Sequence, residues 1–236
     1  MPGYSVVLLD ADNTLFDFDA AEHKSLCAVL TARGYTPDEA TVQTYLKINT
    51  ELWDAFARGE VDQDFLLVER FRRFEQAMGG RHDPVEMNAD YLAGLASNGD
   101  LIPGAVEFCR ALSELGCTLA IVTNGATIAQ RGRYSTSPLR EYIPHLFISQ
   151  EMGVRKPDAL FFDHVCRKLD ISDRSCAVVV GDNLGSDILG GNNAGIDTVW
   201  YNRHNEPLTG PARPTYIANN FDAVLRVIEG KTTEEN

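Results

Sequence analysis

The sequence predicts an α/β fold, a parallel sheet covered by helices on both faces and interrupted near its start by an all-helical insert. Three observations predict it. A short aliphatic run, Val6 to Asp10, reads as a buried strand. From Pro103 onward, short apolar runs alternate with amphipathic stretches, which is the pattern of strands and helices in a parallel sheet. Between the two, from about Asp19 to Ser97, there is no convincing strand, and apolar residues recur at helical spacing.

The elements follow in order. After the first strand, Leu26, Val29 and Leu30 repeat with helical period, as do Tyr45, Asn49, Leu52, Trp53 and Phe56. Phe65, Val68, Phe71 and Phe74 continue it, then Tyr91, Leu92 and Leu95. Turn signals at Gly34, Gly59, Gly79-Gly80 and Pro84 separate these stretches. A helix in GAVEFCRALSELG precedes the strand CTLAIVTNG, and another covers about Thr127 to Ser137 before the apolar stretch Ile143 to Ser149. Helix PDALFFDHVCRKL leads to strand CAVVVGD, and helix LGSDILGGNNAG to strand DTVWY. A short TYIA strand and helix FDAVLRVIEG follow, and the tail KTTEEN is expected to fray. Residues 1–16 and 98–236 are thus expected to form a Rossmann-like, doubly wound parallel sheet, and residues 17–97 an inserted all-α domain.

Composition narrows the function. The 236 residues, 44% hydrophobic, suffice for one large domain or one domain with an insert. A net charge of −13 repels phosphate backbones and anionic lipid, which argues against nucleic-acid polymers and membranes as partners. A small phosphorylated metabolite is still compatible, because a bound cation reverses the local field. No apolar run reaches the length of a membrane span. The start MPGYSVVLLD lacks the basic region, apolar core and cleavage site of a signal peptide. Cysteines 27, 109, 117, 166 and 176 form no CxxC pair, so they read as reduced packing residues in a cytoplasmic protein. A monomer or weak homodimer is expected.

In open parallel sheets, ligands bind beyond the carboxyl ends of the strands. Three polar clusters fall at such ends: Asp10 and Asp12 after the first strand, Thr123-Asn124-Gly125 after the second, and Gly181-Asp182-Asn183 after CAVVV, with Asp187 five residues beyond Asp182. Lys156-Pro157, read as opening a helix, brings one cation to the same edge. Three close carboxylates cannot all stay ionised without compensation. A divalent cation is the usual remedy, and all-oxygen ligation suits Mg²⁺. Such a site is poised for phosphate. Lys156 offsets its charge, Thr123 and backbone N–H groups hold its oxygens, one carboxylate attacks phosphorus and the other moves the proton.

Together, DADNTL (10–15), VTNG (122–125), RKP (155–157) and GDNLGSD (181–187) make the chain resemble the haloacid dehalogenase superfamily of phosphohydrolases over essentially its whole length. The resemblance implies a role for each matched position. Asp10 would be the nucleophile that forms an aspartyl-phosphate. Asp12 would be the general acid/base, with its backbone carbonyl on Mg²⁺. Thr123 would be the phosphate-binding hydroxyl, flanked by Asn124 and Gly125, and Lys156 the stabilising cation. Asp182 would be a direct metal ligand, Asp187 the second acid of that loop, acting at the metal or through water or Lys156, and Thr14 a loop-orienting hydroxyl. The insert would be a cap that selects the leaving group. DADNTLFDFD, NTELWDAFARGEV, VERFRRF and TNGATIAQRGRYSTSPLREYIPHLFISQEMGVRKP look, further, like the bacterial pyrimidine 5′-nucleotidase branch, whose substrates are UMP, dUMP and dTMP, including noncanonical nucleotides. Two positions depart from it: Asn13 stands where Glu is common, and Ala126 replaces a bulkier residue.

The expected function is therefore a Mg²⁺-dependent phosphomonoesterase that acts through an aspartyl-phosphate on a pyrimidine nucleoside 5′-monophosphate, with a sugar-phosphate mutase, or a phosphatase for sugar phosphates or phosphoglycolate, as the alternatives. Phe16, near the nucleophile, is the aromatic expected to meet substrate. Most aromatics of the insert are expected in its own core. Arg131, Arg133 and Arg140 are expected on a solvated helix face, and the five histidines carry no chemistry.

Overall fold

A computed structural model describes residues 3–230; the tail expected to fray lies outside them. Along the chain, β1 (Val6–Leu9) is followed by α1 (Phe18–Ala32), α2 (Glu39–Ala57), α3 (Gln63–Met78) and α4 (Pro84–Ser97). Then come α5 (Ala105–Glu114), β2 (Thr118–Thr123), α6 (Thr127–Thr136), β3 (His145–Ile148), α7 (Ser149–Met152) and α8 (Ala159–Lys168). β4 (Ala177–Gly181) leads through a wide turn at Leu184–Ile188 to α9 (Leu189–Ala194), β5 (Asp197–Tyr201), β6 (Tyr216–Ala218) and α10 (Phe221–Ile228). The chain divides into two compact units.

The first unit runs through Asp17, then Leu101–Gly125, then from Ser137 onward. Its six strands form one parallel sheet, in the order β3-β2-β1-β4-β5-β6. β1 and β4 are buried along their whole length, which is why they read as unbroken apolar runs. Alternate residues serve the two faces. Val6, Leu8, Val122 and Val179 pack with Phe161 and Val165 of α8. α5 packs against α10, where Phe108 stacks on Phe221 at 4.7 Å and Tyr201 of β5 stacks on the same ring at 4.9 Å. The register places Leu9 of β1 beside Ile121 on one side and Val180 on the other. Three central strands therefore stop at one level, with β1 at the point where strand order reverses, the place such sheets bind ligands.

The second unit holds Phe18–Asp100 and Ala126–Thr136. Tyr45, Phe71, Phe74 and Tyr91 form its aromatic centre, with Tyr45 and Phe71 centroids 5.2 Å apart. Asp38, Asp62 and Asp83 cap α2, α3 and α4 through their side chains. Gly34, Gly59 and Gly79 adopt positive φ at the turns between helices. Pro84 marks the boundary as the first residue of α4, where its missing N–H costs nothing. A buried polar network ties the helices together: Asn49 and Tyr91 both donate to Glu22 at 3.0 Å, and Arg70 reaches Asn49 and Asn88.

Helix α6 corrects the expected boundaries. The sequence pattern places it in the sheet-forming half, but it packs on α4 and belongs to the second unit. The fit is close: a Cβ on Gly132 would lie 2.4 Å from the Cβ of Ala96. Arg133 is likewise not on a solvated face. It is 1% exposed, over the ring of Phe18. No helix among the described residues is long and apolar enough to cross a membrane, and all five cysteines are free thiols.

Candidate active site

All the motif residues lie in the first unit. Asp10 continues β1 by one step, donating its backbone N–H to Val180 O at 2.9 Å. The chain then closes a tight loop. Ala11 O accepts from the N–H groups of Leu15 and Phe16 at 3.0 and 2.8 Å, and Asn13 N–H donates to Phe16 O at 2.8 Å. Asn13 sits at φ 56°, a left-handed conformation that Asn tolerates better than Glu.

Lys156 organises the centre. Its Nζ donates to Asp10 Oδ1 at 2.7 Å, to Asp187 Oδ1 at 2.6 Å and to Val122 O at 2.7 Å, so all three ammonium protons are used. It does not open α8: Asp158 is the N-cap of that helix, and Lys156 lies in the loop before it. That loop is held by Asn124, whose amide donates to Lys156 O at 2.8 Å and accepts from Lys156 N–H at 3.0 Å. Thr123 Oγ1 accepts from Gly125 N–H at 3.0 Å, shaping the loop after β2.

Asp182 follows β4. Its N–H donates to Thr14 Oγ1 at 3.1 Å, and its carbonyl accepts from Trp200 Nε1 at 2.8 Å. Asp187 also accepts from Asn183 N–H at 3.1 Å through Oδ2. A Cβ at Gly181 would fall 2.3 Å from that oxygen, so only glycine lets the carboxylate pack there. One carboxylate oxygen from each of Asp10, Asp182 and Asp187 lies within 4.8 Å of the others.

These acids are crowded. Burial, then repulsion from Asp187, pushes Asp10 up to about 7 despite the pull of Lys156. Burial and the charges of Asp10 and Asp187 hold Asp182 well above the usual carboxylate range. Burial would lower Lys156, but Asp10 and Asp187 outweigh it and keep its ammonium above its ordinary value. One lysine thus leaves an excess of buried negative charge. A small hard cation fits that excess. The donors are all oxygen and lie within 4.8 Å of one another, which suits a small hard cation such as Mg²⁺. Asp10, Asp182 and Asp187 would hold it, with the backbone carbonyl of Asp12; the Asp12 carboxylate is not among the three.

The structure brings Asp10, Lys156 and Asp187 into direct contact and places Thr14 on Asp182. It gives two expected ligand contacts other work. The side chain of Asn124 is spent on the Lys156 backbone. Phe16 is 1% exposed and pairs through its backbone with Asp12 and Leu101, so it holds the loop instead of facing a ligand. Sequence reasoning missed Trp200 and the Val122 carbonyl. A carbonyl has no signature in sequence, but a tryptophan in a buried strand needs a partner for its indole N–H, and that need was legible.

The family model of haloacid dehalogenase-like hydrolases matches residues 4–195. The chain belongs to this family and is a phosphomonoester hydrolase. It is 34% identical to the pyrimidine 5′-nucleotidase PynA of Streptococcus pneumoniae over 232 residues, covering 98% of each chain. It is 31% identical to the pyrimidine 5′-nucleotidase YjjG of Escherichia coli over 222 residues, covering 94% of this chain and 96% of that one. Among solved structures, the HAD-hydrolase YfnB of Bacillus subtilis, bound to magnesium, superposes with a TM-score of 0.90 at 29% identity, covering 95% of this chain and 98% of that one.

Proposed function

We propose that the protein is a Mg²⁺-dependent pyrimidine nucleoside 5′-monophosphate phosphatase acting through an aspartyl-phosphate on Asp10. The observation that carries the substrate is likeness to two pyrimidine 5′-nucleotidases over nearly the whole chain, helical insert included. The chemistry rests on the Asp10–Lys156–Asp187 cluster.

Lys156 engages Oδ1 of Asp10, so Oδ2 is the oxygen that attacks phosphorus. The bond from phosphorus to the nucleoside 5′-oxygen breaks as Asp12 gives that oxygen its proton. Asp12, now a carboxylate, takes a proton from water. The water oxygen attacks the aspartyl-phosphate, inorganic phosphate leaves and Asp10 is restored. Thr123 binds a phosphate oxygen, and Lys156 keeps Asp10 oriented while offsetting charge. Bound Mg²⁺ would neutralise the phosphate dianion and the crowded acids together.

Phosphate release from pyrimidine and purine monophosphates, sugar phosphates and phosphoglycolate tests this, with Mg²⁺ or with EDTA, and with Asp10→Asn as control. Metal-dependent release strongest on UMP, dUMP or dTMP and absent in the variant is expected. Preference for a sugar phosphate keeps the chemistry and rejects the substrate. Isomer formation without release points to a mutase.

A further inference from the structure

Asp182 is gripped at both ends of its backbone. Thr14, from the loop after β1, takes its N–H, and Trp200, from β5, donates to its carbonyl. Trp200 stands beside Gly181 in the sheet register, one residue before Asp182. It is 2% exposed and clusters with Ile188 and Ala212, and Leu184 and Leu189 pack against this cluster. Leu184 and Ile188 are the ends of the turn that carries Asp187. One side chain therefore touches both arms of the acidic loop, Asp182 by a hydrogen bond and the Asp187 turn by packing. The hydrogen bond is also needed by its donor. An indole N–H buried among aliphatic side chains loses free energy without an acceptor.

We propose that Trp200 is a positioning residue that sets the spacing of the Asp182 and Asp187 carboxylates, and through it the affinity for the divalent cation. This rests on the reading of Asp182 as a metal ligand. Groups behind metal ligands commonly change metal affinity by about 10- to 100-fold when removed. Phenylalanine keeps an aromatic ring but loses the N–H and the five-membered ring, so Trp200→Phe removes the hydrogen bond together with part of the packing.

The test is Mg²⁺ binding by calorimetry on the full chain, parent against Trp200→Phe. Melting temperature in EDTA is measured on both, and kcat and KM at saturating Mg²⁺. The expected result is an affinity lower by about tenfold. The EDTA melting temperature should fall, because the Asp182 carbonyl loses its donor and the smaller ring leaves a gap, and substrate KM should be unchanged. The loss should then appear as a higher Mg²⁺ requirement. A purely structural role would lower the melting temperature just as much but leave the Mg²⁺ affinity within twofold, which overturns the proposal. Should Trp200→Phe not fold, Trp53→Phe leaves Trp200 as the only tryptophan. Its emission should then change on Mg²⁺ titration, with the calorimetric midpoint. Flat emission overturns the proposal. A parent that binds no Mg²⁺ overturns it together with the metal reading. Binding in the parent with equal binding in Trp200→Phe overturns this proposal alone.

Discussion

Replacing Lys156 by Met should cost the metal-free protein about 3–5 kcal/mol at pH 8, the range for removing one member of a buried ion pair. The side chains of Lys156 and Asp187 are each 1% exposed. The three hydrogen bonds of Nζ, at 2.6–2.7 Å, end on Asp10, Asp187 and Val122. Methionine fills similar volume but offers none of the three acceptors a donor. The loss should shrink as pH falls. Asp10 has a folded-state value raised from 3.8 to about 7, so its contribution to stability is full below 3.8 and is lost as pH rises through about 7. Lys156 is raised above its ordinary value, so its own contribution is constant through neutral pH. Without the lysine, Asp10 holds a proton more tightly still, and each unit of added shift is worth about 1.4 kcal/mol. Urea denaturation in EDTA, followed by circular dichroism at pH 8 and pH 5.5, measures this. A loss below about 1 kcal/mol at pH 8 would refute the account of Lys156 as the compensating charge. A loss equal at the two pH values would refute the part given to Asp10.

Three further outcomes are expected. Gly181→Ala places a Cβ 2.3 Å from Asp187 Oδ2; it should lower stability by about 1–3 kcal/mol and also reduce phosphate release, read by thermal melting and initial rates. Asp62→Ala removes the side-chain cap on Phe65 N–H, a bond of 2.8 Å, and should cost about 1 kcal/mol in urea denaturation with little change in turnover at saturating Mg²⁺. Native labelling with a maleimide at pH 8 should modify half-buried Cys27 and Cys176 first, and leave Cys109, which burial pushes up to about 12, intact until unfolding; mass spectrometry of the peptides checks the order.

Where the sequence was legible, the reason is physical. β1, β2 and β4 read as strands because central parallel strands are buried on both faces, so they carry unbroken aliphatic runs. The site read clearly because its polar residues follow those runs at once. Other features depend on what an element packs against. The periodicity of α6 says that one face is covered, not that α4 covers it; only the closeness of Gly132 to Ala96 does. Lys156-Pro157 read as a helix start because proline favours the first turn, but the Asp158 side chain caps α8 two residues later. Asn124 read as a phosphate contact because it stands in the loop after β2. Its amide instead matches both backbone groups of Lys156, a pairing across 32 residues that no local pattern encodes.

The division of labour follows from the rigidity of the parts. Asp10, Thr123 and Asp182 each stand at or just past the end of a hydrogen-bonded strand, so their backbones are fixed by the sheet. Lys156 and Asp187 come from loops, where the sheet gives no such hold. Side chains from neighbouring segments tie down both loops, Asn124 the first and Trp200 the second, and within the second the Asn183 N–H also holds the Asp187 carboxylate. The residues holding the loops are thus as necessary to the charge balance as the charged groups. Three buried ionisable side chains and the half-buried Asp182, within hydrogen-bonding or metal-bridging reach, tolerate little drift, because a carboxylate that loses its donor must take a proton or pay several kcal/mol for burial. On that argument Asn124→Ala should damage turnover through Lys156 while leaving the residues at phosphorus chemically intact.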